Sequence, residues 1–172
     1  MTTPPLASMP PVTLYRIAAE TSKYSADDRS GAGAKKSGGR WNHPDTAVLY
    51  AAPSRALTCL ETLVHLAPAG SWPFNRYLVE ITVPHESWVR RTLFDPAAHV
   101  GWDALPAGLA SLNWGTEWAR GMTTLIAEVP SVVVPEEPNY LINPEHPEMS
   151  DVFVRKVRRW NYDPRLLGRA AT

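Results

Sequence analysis

Glu61, His65 and Cys59 fall within seven residues of one another, and each is a residue type that does chemistry. Glu61 and His65 are four apart, the spacing of two ligands on one helix face. The second histidine of a zinc-binding helix is missing, so the pair does not amount to a metal site. Cys59 is the only cysteine. Helical spacing puts it on an apolar face, as a small buried hydrophobe more than as a nucleophile. The stretch Gly33-Ala-Lys-Lys-Ser-Gly38-Gly39 invites a phosphate-loop reading. It fails because Gly39 and Arg40 stand where that loop needs Lys and Ser or Thr. Gly31 and Gly33 are not a dinucleotide fingerprint, since no strand leads directly into them. The histidines at 43, 65, 85, 99 and 146 are scattered, and no G-x-S-x-G nucleophile elbow occurs.

These residues need elements to hold them. Residues 1–11 contain four prolines and read as a flexible lead-in. Val12 to Ala18 reads as a first strand. Residues 22–45 are polar and glycine-rich and read as a long loop, a type that is often functional. Ala47 to Ala52 reads as a short buried strand. Pro53-Ser54 opens a helix running to about Ala67, with Ser54 as N-cap. At about 100° per residue, Leu57, Cys59, Leu60, Leu63, Val64 and Leu66 fill its apolar face. Ser54, Thr58, Glu61, Thr62 and His65 fill the other. Glu61 lies about 40° from Leu57, at the seam, where a carboxylate can look into a cleft while its helix stays anchored.

Arg76 to Val83 reads as a strand with Tyr77, Val79, Ile81 and Val83 on one side. A short helix is expected around Ser111 to Arg120. Thr124 to Val129 and Ser131 to Val134 read as two strand pieces broken at Pro130. Five prolines between 130 and 147 make that stretch bent and irregular. Val152 to Trp160 reads as a basic strand or helix. Short strands with few helices favour an α+β fold over a doubly wound sheet.

Composition narrows the class. The chain has 172 residues, and 17 Lys and Arg balance 17 Asp and Glu. With 44% hydrophobic residues and seven Trp, it can fill the core of one domain. No stretch approaches the roughly 20 apolar residues that span a bilayer. The absence of a secretory signal pattern and of any possible internal disulfide points to the cytoplasm. Charge is uneven: residues 1–154 carry a net −5 and residues 155–172 a net +5. The basic end, with Arg155, Lys156, Arg158, Arg159, Arg165 and Arg169, reads as a solvated element complementing the acidic body. Its alternative is a nucleic-acid-binding module that uses this end.

A set of phrases in fixed order is more specific. These are Leu14-Tyr-Arg-Ile17, Gly38-Gly-Arg-Trp-Asn42, Val48-Leu-Tyr-Ala-Ala52 and Leu60-Glu-Thr-Leu-Val-His65. Val129-Pro-Ser-Val-Val-Val-Pro135, Asn139-Tyr-Leu-Ile-Asn-Pro-Glu-His-Pro147 and Tyr162-Asp-Pro-Arg-Leu166 follow. Together they resemble the RES domain, the toxin half of the Xre–RES toxin–antitoxin systems of bacteria. The resemblance runs from about Val12 to Leu167, with the domain placed at 12–169.

The resemblance implies a single domain similar to the ADP-ribosyltransferase toxins, with short mixed and antiparallel strands. It implies an enzyme that consumes NAD as substrate without a metal. Known members hydrolyse or phosphorolyse NAD, depleting it, or transfer its ADP-ribose to a protein. The implied partner is an Xre-like helix-turn-helix antitoxin that blocks the cleft, and a homo-oligomer is compatible with it. The implied catalytic set is Arg40, Tyr50, Glu61 and Ser131, and the implied NAD-binding set is Arg16, Arg40, Tyr50 and Asn139.

Residue chemistry is compatible with those roles. Cleavage at the nicotinamide–ribose bond builds an oxocarbenium-like sugar, and nicotinamide leaves neutral, so no strong acid is needed. The planar fork of Arg40 suits pyrophosphate. Glu61 suits the ribose hydroxyls and the growing cation. Tyr50 could stack on nicotinamide, and Ser131 could hold Glu61 or the ribose without attacking. Taken singly, each has a plainer reading. Arg40 reads as a surface-loop arginine, Tyr50 as core, Glu61 as a solvated carboxylate, and Ser131 as a turn residue. Asn139 and Asn143 read as groups satisfying loop backbone.

Overall fold

The computed structural model describes residues 9–66 and 73–167. Most of the proline-rich lead-in, the expected helix end at Ala67 and the expected domain end at 169 lie outside the described residues.

Alternation of apolar residues builds two small sheets. In the first, β1 (Val12–Ala19) and β3 (Arg76–Val83) run antiparallel in continuous register, from Val12 opposite Val83 to Ala19 opposite Arg76. On the far side β3 pairs with β7 (Phe153–Arg159), also antiparallel, with a register shift at Leu78/Val79. The second sheet has the order β2 (Leu49–Ala51), β6 (Pro138–Ile142), β5 (Ile126–Pro130) and β4 (Thr92–Leu93). Its pairs are antiparallel except for β4 and β5. A bridge between Tyr15 and Ala52 links the sheets. The result is an α+β domain of mixed sheets.

Each sheet uses both faces, because successive residues point to opposite sides. Leu14, Val79, Ile81 and Val83 of the first sheet pack with Leu49, Ile126, Tyr140 and Ile142 of the second. The other face of the second sheet, with Val48, Ala127, Val129 and Leu141, packs on Trp41, Phe94 and Trp118. Trp118 and Ala119 in this layer belong to α4 (Leu109–Gly121). The outer face of the first sheet, with Ile17 and Leu78, packs on Cys59, Leu63 and Tyr162.

Several elements differ from the sequence expectation. The loop at 22–45 contains a short helix, α1 (Ala32–Ser37), entered through Gly31 at φ 66°. α3 (His85–Val89) and β4 are also additional. Ser131 to Val134 is a turn and not a strand. The Ser131 hydroxyl accepts from the backbone N–H of Val133 and Val134 at 3.1 and 2.9 Å, which folds the chain back. β6 forms inside the proline-rich stretch expected to be irregular. It begins at Pro138, where a missing N–H is tolerated, Asn139 pairs with β5, and Tyr140 to Ile142 pair on both sides. The basic end resolves to a strand, β7.

α2 (Arg55–Leu63) starts as expected, with the Ser54 hydroxyl accepting from the Leu57 N–H at 3.1 Å. It is rotated from the expected face. Leu57 and Thr58 are buried, whereas Leu60 and Val64 are exposed. Rows 57/61 and 58/62 turn in beside Cys59 and Leu63, so polar residues face inward because they have specific partners. Thr58 Oγ1 donates to the Tyr15 carbonyl at 3.0 Å, and Tyr162 Oη donates to Thr62 Oγ1 at 3.0 Å.

A charged clamp fixes α2 to the sheet. Glu80 of β3 receives Arg55 of α2 at 3.1 Å and Arg155 of β7 at 2.6 Å. The Arg155 hydrogen bond, with Arg55 adding to it, holds the Glu80 carboxyl below the usual glutamate range. A depressed folded-state value stabilises the fold above the unfolded value and is lost as pH falls through it. We therefore expect the unfolding midpoint to drop as pH falls below the ordinary glutamate range. Glu80→Gln should flatten that acid limb in thermal melts.

Candidate functional site

Glu61 leaves α2 toward the second sheet and meets two donors. Ser131 Oγ donates to Glu61 Oε1 at 2.6 Å, and Asn139 Nδ2 donates to the same oxygen at 2.5 Å. Ser131 is fully buried in its turn, with its N–H donating to the Glu137 carbonyl at 3.0 Å. Asn139 sits on β6 opposite Val129. The carboxylate is thus fixed from a helix, a turn and a strand. Among the described residues, no side chain donates to Oε2, which leaves that oxygen available to accept from or face a ligand.

Tyr50 lies on β2 opposite Leu141, two residues along β6 from Asn139 and on the same face of the sheet. It is therefore a diagonal neighbour of the residue that holds Glu61. Its hydroxyl donates to Asn42 Oδ1 at 2.6 Å and accepts from the Trp41 N–H at 3.0 Å. Burial raises the phenol, against opposing contributions from the Trp41 N–H and from the charge of Arg40.

Arg40 stands on the loop that this contact holds. Its Nη1 donates to the carbonyls of Trp102 and Ala104 at 3.1 and 2.9 Å. Among the described residues no carboxylate pairs with it. Arg16 likewise has no carboxylate within ion-pair distance among the described residues. Strand alternation places it between Leu14 and Ala18 on the inward face of β1, opposite Val79. Burial lowers its guanidinium, with Asp28 acting in the opposite sense. Arg16, Asp28, Tyr24 and Tyr50 line a cleft of about 270 Å³ together with the chain at Gly31–Ala34. A desolvated cation without an ion-pair partner beside a cavity is suited to an anionic ligand.

The structure thus joins Glu61, Ser131 and Asn139 by direct bonds. It puts Tyr50 next to that group and on the cleft of Arg16, with Arg40 in electrostatic range of Tyr50. Asn143 does satisfy loop backbone: it donates to Ala119 O at 2.8 Å and accepts from the Glu145 N–H at 3.0 Å. Asn139 does not, because its amide serves Glu61. His65 is exposed. Burial raises the Cys59 thiol, the opposite of an activated nucleophile.

The basic end is largely engaged within the chain. Arg155 and Lys156 pair with Glu80 and Glu20, and Arg165 pairs with Asp163. Arg158 sits 4.7 Å from the Trp160 ring centre, and Arg159 6.0 Å from that of Tyr77. This matches an element that complements its own body.

Sequence reasoning missed Asn42 and the α4 residues Gly115 and Thr116. Asn42 is fully buried, and its amide donates to the carbonyls of Ala34, His43 and Thr46. Thr116 Oγ1 accepts from the His43 N–H at 2.9 Å. A Cβ on Gly115 would lie 2.0 Å from the Trp41 carbonyl oxygen. The small residue in the middle of a helix was the available signal. Gly115→Ala should cost about 1–3 kcal/mol by pushing α4 off Trp41. Urea unfolding against Gly33→Ala checks this, since a Cβ on Gly33 meets nothing within 4 Å.

No described helix is long and apolar enough to cross a membrane. Residues 13–164 match the family model described as the RES domain. A protein of Sphingobium sp. (strain YBL2), named Prs ADP-ribosylating toxin, is 53% identical over 159 residues, 92% of this chain and 98% of that one. Toxin Res of Yersinia enterocolitica serotype O:8 / biotype 1B is 35% identical over 156 residues, 89% of this chain and 98% of that one. The fold is similar to that found in the crystal structure of the M. tuberculosis MbcT–MbcA toxin–antitoxin complex. That likeness has a TM-score of 0.56 at 18% identity, covering 91% of this chain and 87% of that one. The chain therefore belongs to the RES-domain family, the family of the Res toxins.

Proposed function

We propose that this chain is a toxin enzyme that breaks the nicotinamide–ribose bond of NAD. The observation that carries the reading is Glu61, with one carboxylate oxygen held by Ser131 and Asn139 and the other left for a ligand. In this reading Oε2 accepts from a ribose hydroxyl and faces the positive charge that grows on the sugar as neutral nicotinamide departs. Arg16 and Arg40 take the dianionic pyrophosphate, and the Tyr50 ring lies beside the nicotinamide. Ser131 and Asn139 are positioning residues that act through Glu61. Xre-type antitoxin, cytoplasmic action and the span 12–169 as the working domain belong to the same proposal.

The leaving step is common to hydrolysis, phosphorolysis and transfer, so the same residues serve all three. NAD depletion needs only water or phosphate as acceptor. The name of the 53% identical relative, an ADP-ribosylating toxin, favours transfer to a protein. The acceptor is found by incubating the purified chain with NAD alone, with phosphate, and with cell lysate. Free or phosphorylated ADP-ribose identifies depletion. ADP-ribose retained on a protein band identifies transfer. Nicotinamide release under none of these conditions contradicts the reading.

A further inference from the structure

We propose that Asn42 is a positioning residue that presents Arg40 to the ligand through Tyr50, an inference that rests on the NAD reading above. The Arg40 loop has little regular structure of its own. A single bridge joins Gly39 to Asn42, with the Gly39 N–H donating to the Asn42 carbonyl at 3.0 Å. What fixes this turn is the Asn42 side chain beneath it. Its Nδ2 donates to three carbonyls, those of Ala34 and Thr46 at 2.9 Å and that of His43 at 3.1 Å. Its Oδ1 accepts from the Tyr50 hydroxyl at 2.6 Å, and that hydroxyl accepts from the N–H of Trp41, the residue next to Arg40.

The arrangement is close-packed as well as bonded. A Cβ on Gly39 would meet the Tyr50 hydroxyl oxygen at 2.5 Å and Asn42 Oδ1 at 3.0 Å. Glycine at 39 is therefore what allows the turn to sit on the Asn42–Tyr50 pair. A buried amide and a half-buried phenol, satisfied by one another and by backbone, define one loop geometry, because any other would strand them without these partners. Arg40 inherits that geometry on one side. On the other it is held by the Trp102 and Ala104 carbonyls. The hydroxyl of Tyr50 is thus committed to the loop, and only its ring faces outward chemistry.

The test compares Asn42→Ser and Tyr50→Phe in steady-state kinetics of nicotinamide release. Tyr50→Phe keeps the ring and the Asn42 amide, so it covers the case in which Asn42→Ser does not fold. Each is expected to raise KM about tenfold while kcat changes less than about threefold, the pattern of lost ground-state binding. In an Arg40→Ala background, Tyr50→Phe should add less than about twofold, because its effect runs through Arg40. A full additive effect, or a loss confined to kcat, overturns the proposal.

Amide hydrogen exchange gives a readout that needs no substrate. Tyr50→Phe should speed exchange at Gly39 and Trp41 by at least about tenfold and leave β3 amides unchanged. No change at Gly39 and Trp41, or the same change in β3, overturns the positioning role. A wild-type chain that releases no nicotinamide refutes the NAD reading, and exchange then decides the loop claim by itself.

Discussion

Glu61→Gln is expected to lower kcat for nicotinamide release by about 10²- to 10⁴-fold while the protein stays folded. The amide is nearly isosteric, and its oxygen can still accept from Ser131 and Asn139 at the position of Oε1. The bonds that tie α2 to the turn after β5 and to β6 therefore survive. What is lost is at the other position. An amide nitrogen there cannot accept from a ribose hydroxyl, and the negative charge facing the oxocarbenium-like sugar is gone. The loss corresponds to about 3–5 kcal/mol of transition-state stabilisation. It should appear in kcat and in kcat/KM together, with little change in the thermal midpoint. Full activity in Glu61→Gln would remove Glu61 from the mechanism.

Arg40→Ala is expected to act on the other parameter, raising KM for NAD roughly 10- to 100-fold with a smaller change in kcat. An arginine fork makes charge-assisted bonds to phosphate oxygens that are present before and during bond cleavage, so its loss weakens both states alike. Arg40 also ties its loop to the Trp102 and Ala104 carbonyls. Arg40→Lys separates these roles. Lysine keeps the charge but not the two-pronged geometry, so its KM should fall between wild type and alanine. An unchanged KM in Arg40→Ala would assign the residue to the loop alone.

The strands with clear alternation were legible in the chain: β1 and β3 stand where Val12 to Ala18 and Arg76 to Val83 placed them. So was the start of α2, because Ser54 is a local capping signal. β6 was not, because five prolines masked a strand that tolerates Pro138 at its first position. The face of α2 was misjudged because apolar periodicity ignores specific bonds. Thr58, Glu61 and Thr62 turn inward to partners that lie 43, 70 or more residues away. Ser131 was misplaced on a strand because its turn is made by its own side chain.

The candidate site shows the same division. Helical spacing placed Glu61 at a seam, while Arg16, Arg40, Tyr50, Ser131 and Asn139 came from family phrases and not from periodicity. Asn42 stood inside one of those phrases without attracting notice. Its bonds run to carbonyls and to a tyrosine eight residues on, and no spacing rule encodes such contacts. Gly115 was equally silent, since its role depends on how α4 crosses Trp41.

The central claim is that this chain cleaves the nicotinamide–ribose bond of NAD with Glu61 facing the sugar. The most direct measurement follows nicotinamide release by purified wild type and Glu61→Gln, side by side, with NAD and lysate present. Wild type should release nicotinamide, and Glu61→Gln should do so at least about 100-fold more slowly at equal thermal stability. No release by wild type, or equal release by both, would contradict it.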